Sequence, residues 1–171
     1  MSDALTPPFL LAALVLCVAG AAKLRAPAGA ARAAAVLGLP VGTLLIRGLA
    51  LGELALGCIC MAQPSRTAAA VLGALYLVFA VLSVMLARRR SECGCFGDAQ
   101  SPASGFQALL SGALALGALA ALGAVPHNLA WLFARSPTET IVLSGGISAA
   151  VYGTVLAYTK LPQAWAAWSG T

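Results

Sequence analysis

Five apolar stretches separated by short polar connectors set the pattern of this chain. They run from about Phe9 to Leu24, Val41 to Ala62, Thr67 to Ala87, Phe106 to Val125 and Thr140 to Tyr158. A membrane-spanning helix needs about 20 consecutive apolar residues, and four of the five reach roughly that length. The first is shorter and is approached through Pro7-Pro8. It is therefore expected to leave Ala21–Leu24 at the interface, with Lys23 snorkelling outward. Arg25–Arg32 reads as a basic connector, and Ala28–Leu39 is open between linker and interfacial helix.

The connectors Gln63–Arg66, Arg88–Gly105 and Pro126–Glu139 are too short to bury cores of their own. The pattern predicts an all-α polytopic membrane bundle over residues 1–171, a single integral domain of four core transmembrane helices plus a fifth. Small residues four apart, at Gly48 and Gly52, Gly145 and Ala149, and Ala149 and Gly153, predict close helix packing within the chain rather than a homodimer face.

Composition agrees with the pattern. Of 171 residues, 61% are hydrophobic and only 9% charged, where a soluble domain carries about 25% charged residues. Mean hydropathy is +0.94. The net charge of +5 is therefore read first as a guide to orientation. No basic run with interleaved aromatics is present, so nucleic-acid binding has no support. Eight Arg against two Lys, with Ala and Gly dominating the helices, suits a GC-rich bacterial genome and hence a bacterial inner membrane. Met1–Pro8 carries an acidic residue and no basic n-region, so the first segment is expected to be retained rather than cleaved as a signal.

With five spans, Lys23, Arg25, Arg32, Arg88, Arg89, Arg90 and Lys160 fall on one side, against Arg66 and Arg135 on the other. That bias puts the first group, and the polar loop after the third span, in the cytoplasm.

The loop holds the densest chemistry, Cys93-Gly94-Cys95-Phe96-Gly97. A cysteine pair split by one glycine can exchange electrons, hold a soft metal ion such as Cu(I) or Hg(II), or form an inert brace. A disulfide between residues two apart closes a small ring whose bent backbone glycine can adopt, and strain makes such a bond easier to reduce. Arg88, Arg89 and Arg90 precede it, and nearby positive charge favours the reactive thiolate. The same arginines would also anchor the third span.

Cys58 and Cys60 form a second C-x-C, but residues two apart on a helix point about 200° apart. These two, and Cys17 in the first span, read as small buried hydrophobes, with a relay to another dithiol the sharper alternative. Glu53 and Arg47 are ions inside the second segment. They lie about 120° apart around the helix and about 9 Å apart along it, so each is expected to find its partner elsewhere. Glu53 shares a face with Gly57 and Cys60. It is a candidate to move protons during thiol exchange or to contact a quinone, or else a structural hydrogen bond. His127 is the lone histidine and reads as a surface residue, and Trp131, Trp165 and Trp168 read as interfacial anchors. Motifs for nucleotides, zinc or haem are missing from the sequence.

Taken together, these motifs resemble the MauE/DoxX-type redox-associated membrane proteins. The features that carry the resemblance are Gly20-Ala21-Ala22-Lys23-Leu24, Glu53-Leu54 and Cys93-Gly94-Cys95-Phe96-Gly97, and it covers roughly residues 9 to 125. It implies a small helical bundle linked to thiol–disulfide chemistry, with a thioredoxin-like partner of the kind usually found outside the cytoplasm. For MauE itself the resemblance implies maturation of the disulfide-rich small subunit of methylamine dehydrogenase. Relatives elsewhere resemble general redox partners, so a role outside methylamine use is equally implied. Carried over residue by residue, it makes Cys93 and Cys95 the redox pair, with Glu53 and Lys23 as accessory positions. The fifth segment and the Cys58/Cys60 pair lie outside it. A soft-metal carrier and a non-catalytic scaffold subunit stand as the alternatives.

Overall fold

The computed structural model describes residues 2–91, Gly94, Phe96 and residues 103–169. Cys93, Cys95 and Gly97, and the side chain of Trp165, lie outside the described residues. Among the described residues all regular secondary structure is helical, in the order α1 (Ser2–Arg25), α2 (Ala28–Val36), α3 (Thr43–Ala62), α4 (Arg66–Arg88), α5 (Gly105–Ala120), α6 (Ala130–Phe133), α7 (Pro137–Thr159) and α8 (Leu161–Ser169). Four of these, α1, α3, α4 and α7, are long and apolar enough to cross a membrane. The protein is a multi-pass membrane protein in contact with the lipid bilayer.

The bundle is built from two closely packed pairs, α1 with α3 and α4 with α5. They join mainly through α1 against α5 and α3 against α4, and α7 leans on α1 and α5. Half of the apolar stretch of α1 is buried, against 6% of that of α7, so α1 is the central helix and α7 a peripheral one. Phe9, Ala12, Ala13, Val15 and Leu16 of α1 meet Leu72 and Tyr76 of α4 and Ala115 and Ala118 of α5 in the main core. The Tyr76 hydroxyl donates to the Ala12 carbonyl at 2.7 Å, fastening α4 to α1.

Several expectations are corrected. The first helix begins at Ser2 and runs through Pro7 and Pro8. The hydrogen bonds these prolines cannot make belong to carbonyls of the first turn, where a lost bond disturbs least. The fourth apolar segment ends as a helix at Ala120, not Val125. Ala121, Leu122 and Gly123 donate three residues back, to Ala118, Leu119 and Ala120, so the chain tightens and stops before Pro126. With 16 residues, α5 is about 24 Å long, short of the roughly 30 Å hydrocarbon core. The short member of the set is therefore the fourth segment. The connector Pro126–Glu139 contains the helical turn α6, and α7 starts at Pro137 behind the N-cap Ser136.

Packing by small residues is real, but at other positions. Gly48, Gly52, Gly145 and Gly153 face nothing within 4 Å. The close contacts are made by Gly20 and Gly57 between α1 and α3, and by Gly73 between α4 and α5. Spacing alone did not reveal which helix face turns inward.

Candidate functional site

Antiparallel packing of α1 on α3 creates the site. A Cβ at Gly20 would stand 2.8 Å from the Ala50 carbonyl oxygen and 3.3 Å from the Glu53 Cβ, so only glycine admits this approach. One turn further along α1, Lys23 meets Glu53. Its Nζ lies 2.6 Å from Oε1 and 2.7 Å from Oε2, and the two side chains are only 9% and 8% exposed. Lys23 therefore points inward rather than snorkelling to the interface. Helix side chains lean toward their own N-terminus, which in an antiparallel pair brings these two toward each other. Lys23 Nζ also lies 4.7 Å from the centroid of Phe79 on α4, whose ring is in edge contact with Tyr76.

Arg47, exposed on α3, takes no part in the pair. It joins Arg25, Arg32, Arg88, Arg89, Arg90 and Lys160 at one end of the bundle, with Arg66 and Arg135 at the other.

The described residues that flank and interrupt the cysteine loop lie at the same basic end. Helix α4 closes with Arg90 N–H bonded to the Ala87 carbonyl and Ser91 N–H to the Leu86 carbonyl. Arg90 itself sits in the left-handed region at φ 52°. This is the Schellman arrangement, with arginine where glycine is usual. Arg89 donates a hydrogen bond to the Val36 carbonyl at the end of α2, and Arg88 is exposed. Ala103 N–H bonds to the Ser91 carbonyl at 2.9 Å, closing the neck of the loop.

Two loop residues dock inward. Gly94 is buried at φ +62°, and a Cβ there would stand 2.5 Å from the Gly29 carbonyl oxygen and 3.0 Å from Ala30 N. Glycine is thus required twice over, for its backbone angle and for its approach to the start of α2. Phe96 packs on Tyr158 of α7, ring centroids 5.3 Å apart. Tyr158 is held by a 2.8 Å contact between its hydroxyl and Ser111 Oγ, and by Gln107 Nε2, which donates to its carbonyl at 2.9 Å.

Two cavities meet at Lys23, the larger of them also lined by Glu53. One, of about 230 Å³, lies among α2, α3 and α4, with Lys23, Glu53, Phe79 and Gly94 in its lining. The other, about 20 Å³, runs from Lys23 past Tyr76 and Phe79 to Phe96, Ser111 and Tyr158, and has room for a single water. Lys23 is thus placed between an apolar chamber and a small, mostly apolar void into which Phe96 of the cysteine loop also projects.

The remaining cysteines separate as the helix geometry requires. Cys60 is buried as expected, with its Sγ 3.8 Å from the Ala68 carbonyl. Cys58, expected to be buried too, is exposed because it lies on the opposite face of α3. Cys17 lies across α3, its Sγ 3.8 Å from the Leu54 carbonyl and its thiol beside that of Cys58. Among the described residues, no three of His, Cys, Asp and Glu gather as metal ligands would.

Phe79, Gln107, Ser111 and Tyr158 were not anticipated from the sequence. Gln107 and Ser111 carry a usable signal, two polar side chains four apart on one face of an otherwise apolar helix. Phe79 and Tyr158 carry none.

Fold and site define a class: a small multi-pass helical bundle with a buried lysine–glutamate pair between its first two long helices and a cysteine loop after its third. The chain belongs to the MauE family, described as methylamine utilisation protein MauE, whose model matches residues 3–126. No curated protein and no solved structure matches it. The matched region contains Lys23, Glu53 and the cysteine loop and ends before α6, so Tyr158 reaches the site from outside it.

Proposed function

We propose that this protein is a thiol–disulfide redox protein of a bacterial cytoplasmic membrane, exchanging electrons between Cys93/Cys95 and a thioredoxin-like partner. The chemistry is an exchange: one thiolate attacks the partner disulfide, forming a mixed disulfide and releasing one partner thiolate. The second cysteine then attacks the mixed bond, leaving the partner a dithiol and this chain a disulfide. The reverse sequence reduces this chain. Cys93, closer in sequence to the arginines, is the attacking member. Glu53 and Lys23 serve as the proton reservoir.

The observation that carries the reading is that Lys23, Glu53 and Gly94 line one cavity, Gly94 being the residue between the two cysteines. A buried carboxylate and ammonium inside a membrane are expensive to maintain, and their position beside the loop gives them a use. The family description points to methylamine utilisation, which suits a role in maturing a disulfide-bearing enzyme subunit. The excess of arginine at that end supports a cytoplasmic loop, so that the partner is a thioredoxin-like protein of the cytoplasm rather than one outside it.

Thiol trapping in intact cells with membrane-permeant and impermeant maleimides, on wild type and on Cys93→Ser and Cys95→Ser, tests this. The expected result is a pair found partly as a disulfide, in a proportion that follows cellular redox state, with thiols that the impermeant reagent misses. Thiols that stay reduced and are shielded only when Cu(I) or Hg(II) is supplied would replace this reading with that of a metal carrier.

A further inference from the structure

The exchange described above uses the charged wall of the larger of these two cavities but not its volume. Its about 230 Å³ are walled by aliphatic side chains, including Ala33, Ile46 and Leu86, and by the Phe79 ring. Among the described residues, Lys23 and Glu53 are the only charged groups in its lining. Leu39 and Leu49, 58% and 57% exposed, belong to that lining and mark an apolar rim. An apolar ligand can therefore cross this rim without passing a charged side chain of the lining.

These features define the ligand. Pockets for drug-sized molecules hold about 300–1,000 Å³, so this one takes a single ring system, with any long tail left outside. An ammonium has three N–H donors. Two of those of Lys23 go to Glu53, which leaves one for an oxygen on the ligand. A lipid acyl chain has no use for that donor. A flat ring with a carbonyl oxygen and an apolar tail does.

We propose that the cavity binds a membrane quinone, its ring seated beside Phe79, one carbonyl toward Lys23 and its tail leaving past Leu39 and Leu49. The proposal rests on the thiol reading of Cys93 and Cys95 and names the acceptor of their electrons. The two thiols lose two electrons and two protons and form one S–S bond. The quinone gains two electrons and two protons and leaves as the quinol. Lys23 and Glu53 pass protons to the ring oxygen.

The test uses full-length protein in lipid nanodiscs with decylubiquinone as the probe. Wild type and a Cys93→Ser/Cys95→Ser variant are both expected to bind one quinone per chain saturably, because the cavity precedes the chemistry. Ala34→Phe, which fills the cavity from the short helix α2, and Glu53→Gln are each expected to weaken binding at least tenfold. Leu49→Trp at the rim replaces Ala34→Phe if that variant does not fold. Labelling of wild type with a photoreactive azidoquinone needs no variant and is expected to mark residues 30–49 or 79–86. Reduced wild type is expected to convert one quinone per cysteine pair, and the double variant none.

Absence of saturable binding, displacement by phospholipid alone, labelling elsewhere, or indifference to the cavity-filling variants overturns the quinone site, even where thiol exchange with a partner is intact. Binding and labelling at the cavity without any conversion by wild type supports the site and overturns the thiol reading instead.

Discussion

Two clusters of opposite charge sit at different depths of this bundle, and the contrast between them locates the chemistry. Lys23 and Glu53 are buried between α1 and α3. At the other end, His127 Nε2 and Arg135 Nη2 each approach Asp3 Oδ1 at 3.2 Å, with Asp3 65% exposed. There the Trp131 ring stacks on His127, and the Arg135 guanidinium lies 4.3 Å from its centroid. The His127 backbone N–H bonds to Thr6 Oγ1 at 3.0 Å. The exposed cluster is a clasp that pins the α5–α6 connection onto the start of α1. Surface pairs of that kind contribute about 0–1 kcal/mol. The buried pair is a different object: each ion depends on the other, because water cannot replace either partner.

The contrast breaks most sharply at Glu53. Glu53→Leu leaves Lys23 buried without its partner and is expected to destabilise the protein by about 3–5 kcal/mol. The double variant Lys23→Met/Glu53→Leu should recover most of that loss while abolishing thiol turnover. Denaturation of the purified variants in detergent measures the first effect and partner reduction the second. If single and double variants unfold alike, the pair is not interdependent.

Gly20→Val addresses the same pair through the backbone. Its side chain must push against the Ala50 carbonyl, with an expected loss of about 1–3 kcal/mol from overpacking. Turnover should fall further than stability, because separating α1 from α3 stretches the Lys23–Glu53 contact. Equal proportional losses would count against that link.

Two residues in the left-handed region sharpen the comparison near the loop. Gly94→Ala is expected to cost about 1–3 kcal/mol locally and to speed maleimide labelling of Cys93 and Cys95, with little change in global melting. Arg90→Gly relieves a left-handed non-glycine residue and should stabilise by up to about 1 kcal/mol. Opposite signs at these two positions, read by labelling rate and melting temperature, are the expected outcome.

The smallest effect belongs to the clasp. Asp3→Ala should cost less than about 1 kcal/mol and the difference should shrink as salt is added. A loss as large as that of Glu53→Leu would erase the distinction between the two clusters.

Much of this was legible in the residues. Long apolar runs left little choice but membrane helices, since a backbone in lipid must satisfy its own hydrogen bonds. The 120° offset between Arg47 and Glu53 showed that they would not pair. The 200° offset between Cys58 and Cys60 set them on opposite faces but did not show that Cys58 would be the exposed one. The depth of Lys23 was not legible. A lysine near a helix end snorkels or turns inward according to what faces it, and Glu53 lies 30 residues away in sequence. Nor did the spacing of Gly48 and Gly52 disclose that they face away from the rest of the chain.

The sequence by itself determined the class and the number of apolar segments, which follow from composition and hydrophobic patterning. It also marked Glu53 and the cysteine loop as candidate chemistry, since an ion inside a span and a C-x-C pair are visible in any single chain. Lys23 entered only through the family resemblance. Only the tertiary structure decided that Gly20 lets α1 and α3 close on an ion pair, that Gly94 and Phe96 dock the loop against α2 and α7, and that a cavity joins them. Those outcomes depend on which faces of distant helices meet, a choice made by packing across the whole bundle rather than by any local stretch of residues.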